Sequence, residues 1–108
     1  MGYIYKITNL INGKAYIGQT ITDLTTRYGG HLRSATIMPK RKDQIKKYYM
    51  PLYEDLRKYT VCNFKIEQIE ECENDVLDDR EAYWIEYYDT YYNGYNNLLR
   101  KGIIRALE

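Results

Sequence analysis

The sequence predicts an α+β domain: a three-stranded antiparallel sheet flanked by about three helices, in the order β-β-α-α-β-α. A hairpin signal at Asn12-Gly13 lies between two short runs rich in tyrosine and isoleucine, residues 3–7 and 16–18. Apolar residues then recur at helical spacing in three later segments, and a strand-like run separates the second from the third. This pattern is typical of helices packed around a small sheet.

The hairpin predicts two phenols beside a glycine. A two-residue turn at the hairpin signal would pair Tyr5 with Thr20, whereas a four-residue loop would pair Tyr5 with Gly18. Either register places Tyr5, Tyr16 and Gly18 on one face of the sheet, because side chains alternate along a strand. Gly18 has no side chain, so it leaves room beside the two hydroxyl groups.

Two helices are expected after the hairpin. Thr22 or Asp23 can cap a helix that runs to about Ala35, and Gly29-Gly30 predicts that this helix bends or frays near its end. Residues 36–49 are expected to form a basic connector with one short helical piece. Pro51 suits the first turn of the next helix.

The remaining elements are a strand and a helix. The third strand is expected from about Val61 to Glu70, and Asn74 or Asp75 then opens a helix that ends near Tyr88. We expect residues 1–97 to form one domain. Residues 98–108 are expected to be a tail or the start of a linker.

Length and composition narrow the class of protein. A chain of 108 residues is long enough for one core but not for two. The sequence has no apolar run near the length of a membrane span and no signal-peptide pattern, so we expect a cytoplasmic protein, inside a host cell, that does not enter a membrane. Cys62 and Cys72 lack metal-ligand spacing and are expected to be reduced thiols.

The net charge of +1 hides an asymmetry along the chain. Residues 1–60 hold 11 Lys and Arg against 4 Asp and Glu, whereas residues 61–108 hold 5 against 11. A basic stretch in the first part is either a phosphate-contacting surface or an ordinary solvated loop. It comprises Lys40, Arg41, Lys42, Lys46 and Lys47.

Five ordered elements resemble the signature of the GIY-YIG nucleases. Tyr3-Ile4-Tyr5 and Tyr16-Ile17-Gly18, with ten residues between them, are similar to the paired motif that names the family. Tyr3 stands where the family usually has glycine. The match continues, in the family's order, with Arg27, His31, Glu81 and Asn93-Gly94-Tyr95-Asn96. The resemblance spans roughly residues 3 to 97 and implies the same fold.

Glu81 is the candidate metal ligand. It shares one predicted helix face with Leu77 and Ile85, and a carboxylate within an apolar stripe costs desolvation unless a partner offsets it. From the residues alone, Glu81 is either a rim carboxylate paired with a cation or a ligand. The resemblance places the family's metal-binding glutamate on Glu81, which implies Mg²⁺ or Mn²⁺ as cofactor.

Arg27 and His31 lie four residues apart, so both side chains leave one helix face. They are either an exposed polar pair or a phosphate-binding pair. The resemblance assigns Arg27 to stabilising phosphate charge and His31 to a supporting hydrogen bond. For Asn96, the residues alone indicate a turn, and the resemblance implies that it positions the site.

The strand positions of Tyr5 and Tyr16, taken alone, indicate two ordinary core tyrosines. A phenol has a reference pKa near ~10, so it needs a neighbouring cation to act as a base at neutral pH. Lys14 and Arg27 are the candidate cations. By resemblance, Tyr5 is the general base toward the attacking water and Tyr16 positions water or phosphate, although the residues alone do not assign the two roles.

The resemblance implies a divalent-metal-dependent DNA endonuclease of the phage or homing type. Its products would carry a 5′-phosphate and a 3′-hydroxyl. The alternative is a nucleic-acid-binding relative that has lost cleavage. The expected partners are DNA, a second copy in a transient dimer on DNA, and a separate DNA-recognition domain or protein.

The charge asymmetry gives a test of the basic stretch. Replacing its five cations with alanine in a Glu81→Gln background should weaken binding to all DNA sequences alike, because phosphate contacts carry no base information. Each lost contact should reduce the slope of log affinity against log salt by roughly one unit. An unchanged slope would identify the stretch as a solvated loop.

Overall fold

The computed structural model describes residues 1–36 and 51–96. A hairpin of β1 (Gly2–Asn9) and β2 (Ala15–Thr20) leads into helices α1 (Leu24–Thr36) and α2 (Pro51–Tyr59). Strand β3 (Phe64–Cys72) is followed by α3 (Leu77–Tyr88) and the short α4 (Thr90–Asn93). The strands form a three-stranded antiparallel sheet in the order β2-β1-β3. The predicted α+β class and sheet are confirmed.

The longer of the two predicted hairpin loops is the one that forms. Tyr5 pairs with Gly18 across the two strands. The backbone N–H of Asn9 donates to the carbonyl of Lys14 at 2.8 Å, and the N–H of Gly13 donates back to the carbonyl of Asn9 at 2.8 Å. Gly13 has a φ of +78°, a left-handed conformation that glycine adopts at little cost.

The two faces of the sheet bury separate clusters. Ile4 and Ile17 on one face pack with Leu77 and Ile85 of α3. The opposite face is covered by α1 and α2, and its buried cluster includes Tyr5, Ile7, Tyr16, Ala35, Leu52, Tyr53 and Leu56. The division follows from the alternation of side chains along β1 and β2. Adjacent residues of one strand therefore serve two different cores.

Helix α1 begins at one of the two predicted caps and continues past its two glycines. The Asp23 carboxylate accepts the backbone N–H of Thr26 at 2.8 Å, and this bond is the main reason that the Asp23 pKa is lowered. The predicted fraying near Gly29-Gly30 is not found, because the helix is continuous to Thr36. Tertiary packing offsets the weak helical propensity of the glycines, since His31, the next residue, and Ala35, one turn after His31, are both buried.

The later boundaries differ from the predicted ones by a few residues. A 3-10 turn, Val61–Asn63, delays the start of β3, and a second one, Asn74–Val76, precedes α3. Helix α4 was not predicted. The predicted basic connector, apart from residue 36, and the predicted tail lie outside the described residues.

Two further expectations concern the cysteines and the membrane. Cys62 and Cys72 are free thiols. Among the helices of residues 1–36 and 51–96, none has the length and apolar character needed to cross a bilayer.

Gly18 and Gly29 give opposite predictions for the same substitution. A Cβ at Gly18 would overlap the Tyr5 ring and lie 2.9 Å from Cε2 of Tyr16, whereas a Cβ at Gly29 would lie 3.7 Å from Nη1 of Arg33. Gly18→Ala should reduce the free energy of unfolding by about 1–3 kcal/mol. Gly29→Ala should increase it by about 0.5–1 kcal/mol. Denaturant unfolding measures both, and equal effects at the two positions would contradict the packing described here.

Candidate active site

The hydroxyl of Tyr5 lies at the centre of a buried hydrogen-bonded group. Tyr5 is on the central strand β1, and its oxygen lies 2.6 Å from Nε2 of His31 on α1. Arg27, one turn earlier on α1, donates from Nε to the same oxygen at 3.3 Å. The predicted i, i+4 pair therefore does share one helix face, and that face is directed at Tyr5.

The other nitrogen of His31 is also engaged. Its Nδ1 lies 3.0 Å from the hydroxyl of Tyr53 on α2. His31 is only 1% exposed. Both ring nitrogens of His31 are therefore engaged by phenols in this conformation rather than open to a phosphate. The geometry instead fits a supporting hydrogen bond.

Arg27 bridges the buried group and the solvent. Arg27 as a whole is exposed to solvent, although its Nε reaches the fully buried phenol of Tyr5. Burial lowers the pKa of Arg27, but the phenol oxygens of Tyr5, Tyr16 and Tyr53 raise it by more, so the pKa lies above its ordinary value. The guanidinium therefore stays charged. Its remaining N–H donors suit a phosphate, because arginine presents a planar fork of donors.

Tyr16 completes what we call the Tyr5 cluster: Tyr5, Tyr16, Arg27, His31 and Tyr53. The Tyr16 ring lies edge-on to His31 with the centroids 5.5 Å apart, and 6.3 Å from the Tyr5 ring. Gly18 faces both phenols, as predicted, and the phenols fill the space above it. Of the two candidate cations, Arg27 bonds to Tyr5, and Lys14 is exposed just before β2.

Asn96 holds the edge strand rather than pointing into the Tyr5 cluster. Its side-chain oxygen accepts the backbone N–H of Ile17 at 2.7 Å, and its NH₂ donates to the carbonyl of Ile17 at 2.8 Å. The backbone N–H of Tyr95 also donates to the carbonyl of Ala15 at 2.9 Å. The segment 94–96 thus pairs with β2 on the side away from β1. Ile17 lies between Tyr16 and Gly18, so Asn96 positions both.

Glu81 is a buried carboxylate on the other face of the sheet. It is 7% exposed and lies one turn from both Leu77 and Ile85, which pack against that face. Helix α3 is fixed from two sides. Gln19 of β2 donates to the Asp78 carboxylate at 2.7 Å. On the opposite side, the Nε–H of Arg80 donates to both oxygens of the Glu70 carboxylate on β3, at 2.8 and 3.0 Å.

The chemistry of Glu81 fits a magnesium-type ion. Within the described ranges, no group of three or more His, Cys, Asp or Glu side chains is placed to bind a metal. Magnesium does not need such a group, because it keeps several waters and commonly binds through one or two carboxylates plus substrate phosphate. A single buried carboxylate therefore suits it. The five predicted DNA-binding cations, Lys40, Arg41, Lys42, Lys46 and Lys47, lie outside the described residues.

Tyr53 is the member of the Tyr5 cluster that sequence reasoning missed. It lies beside Leu52 in the buried stripe of α2. A phenol in an apolar stripe needs a hydrogen-bond partner, and this requirement was the available signal. The partner could not be read from the sequence, because His31 is 22 residues away on a different helix.

Comparison with known proteins agrees with this geometry. The sequence model of the GIY-YIG catalytic domain matches residues 1–96. No curated protein sequence matches the chain. The solved catalytic domain of homing endonuclease I-TevI is similar to the fold, with a TM-score of 0.66 and 25% identity over 88% of this chain and 96% of that chain.

A second structure, a mutant of the catalytic domain of intron endonuclease I-TevI, has a TM-score of 0.71 and 26% identity over 91% of this chain and 95% of that chain. The predicted family is therefore confirmed by sequence and by fold. The chain belongs to the GIY-YIG family.

Proposed function

We propose that this chain is a divalent-metal-dependent DNA endonuclease whose Tyr5 cluster and Glu81 act on one phosphodiester. Membership of the family and the likeness to the I-TevI catalytic domain indicate an endonuclease. The observation that carries the residue assignment is the Tyr5 oxygen. It is fully buried, it accepts a hydrogen bond from Arg27, and it lies 2.6 Å from His31. An ordinary core tyrosine needs only one such partner.

In the proposed reaction, Tyr5 takes the proton of an attacking water, which would have to reach the buried phenol beside the exposed Arg27. A phenol is a poor base at neutral pH, and hydrogen bonds to its oxygen favour the charged form. Arg27 supplies one such bond from Nε, and its exposed end would stabilise the charge that develops on the phosphate. Water would attack the phosphorus, and the bond to the 3′-oxygen would break. The products would be a 5′-phosphate and a 3′-hydroxyl.

Glu81 would hold the metal ion. When bound, Mg²⁺ or Mn²⁺ supplies charge stabilisation at the phosphate and the leaving oxygen. The side chains of Glu81 and Tyr5 lie on opposite faces of the sheet. Strand β2 forms one edge of the sheet. We place the phosphodiester at this edge, where groups from both faces can reach it. The two attachments of α3, from Asp78 to Gln19 and from Arg80 to Glu70, hold the helix that carries Glu81.

The remaining predicted residues would position the site. Tyr16 would orient water or phosphate beside His31, Gly18 would admit the Tyr5 ring, and Asn96 would keep β2 in register. Lys14 is exposed, so it would contact the DNA backbone rather than Tyr5. The contacts of Tyr16, Gly18 and Asn96 described above support these roles.

A phage or mobile-element nuclease of the homing type would carry this chain as its catalytic part. The likeness to the I-TevI catalytic domain supports a separate DNA-recognition domain or protein as partner. A transient dimer on DNA would cut both strands, and the reaction would take place in the cytoplasm of a host cell.

Replacing Glu81 tests the metal assignment. Glu81→Gln keeps the side-chain volume but removes the charge, so nicking of supercoiled plasmid in Mg²⁺ should fall by at least ~10²-fold. Binding to DNA in EDTA should change little. Glu86→Gln, at an exposed position of the same helix, is the matched control and should nick normally.

A well-folded Glu81→Gln variant with wild-type nicking would refute the metal assignment. Wild-type protein that binds DNA but does not nick it in Mg²⁺ or Mn²⁺ would support the alternative of a binding relative without cleavage.

Two substitutions test the base and its cation. Tyr5→Phe and Arg27→Ala should each slow single-turnover cleavage by at least ~10²-fold, the loss expected when acid–base help or a charge-stabilising donor is removed. Tyr3→Phe removes a hydroxyl from the same strand two residues away and should leave the rate unchanged. If Tyr5→Phe cleaves at the wild-type rate, Tyr5 is a structural residue only.

A further inference from the structure

The hydroxyl of Tyr53 extends the Tyr5 cluster to a third element of the fold. It lies 3.0 Å from Nδ1 of His31, and Nε2 of the same ring lies 2.6 Å from the oxygen of Tyr5. The three side chains come from α2, α1 and β1, and all three are buried. One imidazole therefore joins two phenols, and the position of its proton decides which phenol oxygen it donates to.

The surroundings of Tyr53 favour one direction for its hydrogen bond to His31. A hydroxyl carries one hydrogen, and leaving that hydrogen unpaired in a buried place costs free energy. Among residues 1–36 and 51–96, the hydrogen bond found for this hydroxyl is the one to His31. If Nδ1 carried a proton, the hydrogen of Tyr53 would need a different acceptor. Donation from Tyr53 to an unprotonated Nδ1 satisfies both groups.

The direction of that bond determines what Tyr5 receives. With Nδ1 as acceptor, the proton of the neutral imidazole is on Nε2, and Nε2–H donates to the Tyr5 oxygen. Arg27 donates to the same oxygen through Nε. Two donors then converge on one phenol oxygen, an arrangement that suits the ionised Tyr5 of the proposed reaction, because a phenolate has no hydrogen of its own to place. Such donors favour the negative charge that Tyr5 acquires when its proton leaves.

We propose that Tyr53 is a positioning residue that selects the Nε2–H tautomer of His31 and thereby directs a second donor at Tyr5. The catalytic consequence rests on the proposed nuclease function, whereas the tautomer itself does not. The titratable groups that face His31 are Tyr5 from β1, Tyr16 from β2 and Tyr53 from α2. Arg27 on α1 reaches the group through Tyr5.

His31 is the single histidine of the chain, which makes the tautomer directly measurable. Long-range ¹H–¹⁵N correlation spectra of histidine-labelled protein, above the titration range of histidine, distinguish a protonated from an unprotonated ring nitrogen. The wild type should show a proton on Nε2 and a hydrogen-bonded, unprotonated Nδ1. In Tyr53→Phe the Nδ1 resonance should move upfield, toward the position of a protonated nitrogen, and the Nε2 resonance should move downfield, because the donor that keeps the proton on Nε2 is gone.

Tyr28→Phe is the matched control for this measurement. The hydroxyl of Tyr28 on α1 is buried and has no hydrogen-bond partner within the described part of the chain, so its removal should leave both nitrogen resonances of His31 in place. A wild-type spectrum with the proton on Nδ1 would overturn the proposal. An Nδ1 resonance that is the same in wild type and in folded Tyr53→Phe would also overturn it.

Cleavage kinetics then separate positioning from simple packing. Tyr53→Phe should lower kcat about ten-fold with KM unchanged, and its pH–rate profile should move to higher pH, since Tyr5 has lost one stabilising donor. Tyr28→Phe should keep the wild-type profile. A wild-type kcat and profile in Tyr53→Phe would refute the positioning role. An inactive wild type with the expected spectra would refute the nuclease function but not the tautomer.

Discussion

The burial of the Tyr5 hydroxyl is the constraint on which the rest of this fold depends. A polar group in the middle of a sheet must be hydrogen-bonded. The partners come from α1, which must run unbroken past its two glycines to bring both Arg27 and His31 over β1. Helix α2 in turn must pack close enough for Tyr53 to reach His31. The phenol thereby links three elements.

The other face of the same sheet carries a second group of functional interest, the Glu81 carboxylate on α3. Glu81 points toward that face from α3, and the attachments of α3 to β2 and β3 leave the helix little freedom to rotate. The edge strand β2 connects the two arrangements, and Asn96 holds its backbone from outside. The side chains proposed for catalysis are thus carried by strands and helices rather than by loops, which favours a precise geometry.

The sequence predicted the parts of this arrangement that depend on local rules. The hairpin, the cap at Asp23 and the sharing of a helix face by Arg27 and His31 all follow from near neighbours in the chain. The Tyr53–His31 bond and the use of Asn96 as a backbone partner for Ile17 did not, because each joins residues far apart in sequence. The prediction that α1 frays near its two glycines failed for a related reason, because tertiary packing of the helix outweighed its low helical propensity.

The proposed mechanism requires a tyrosine of this cluster to act as a base toward water and not as the nucleophile itself. Single-turnover cleavage in H₂¹⁸O, quenched rapidly in detergent and followed by mass spectrometry of the DNA ends, tests the claim directly. The account predicts ¹⁸O in the 5′-phosphate, an unlabelled 3′-hydroxyl and no DNA attached to protein. A tyrosyl–DNA adduct trapped at early times, or a 3′-phosphate end, would contradict it.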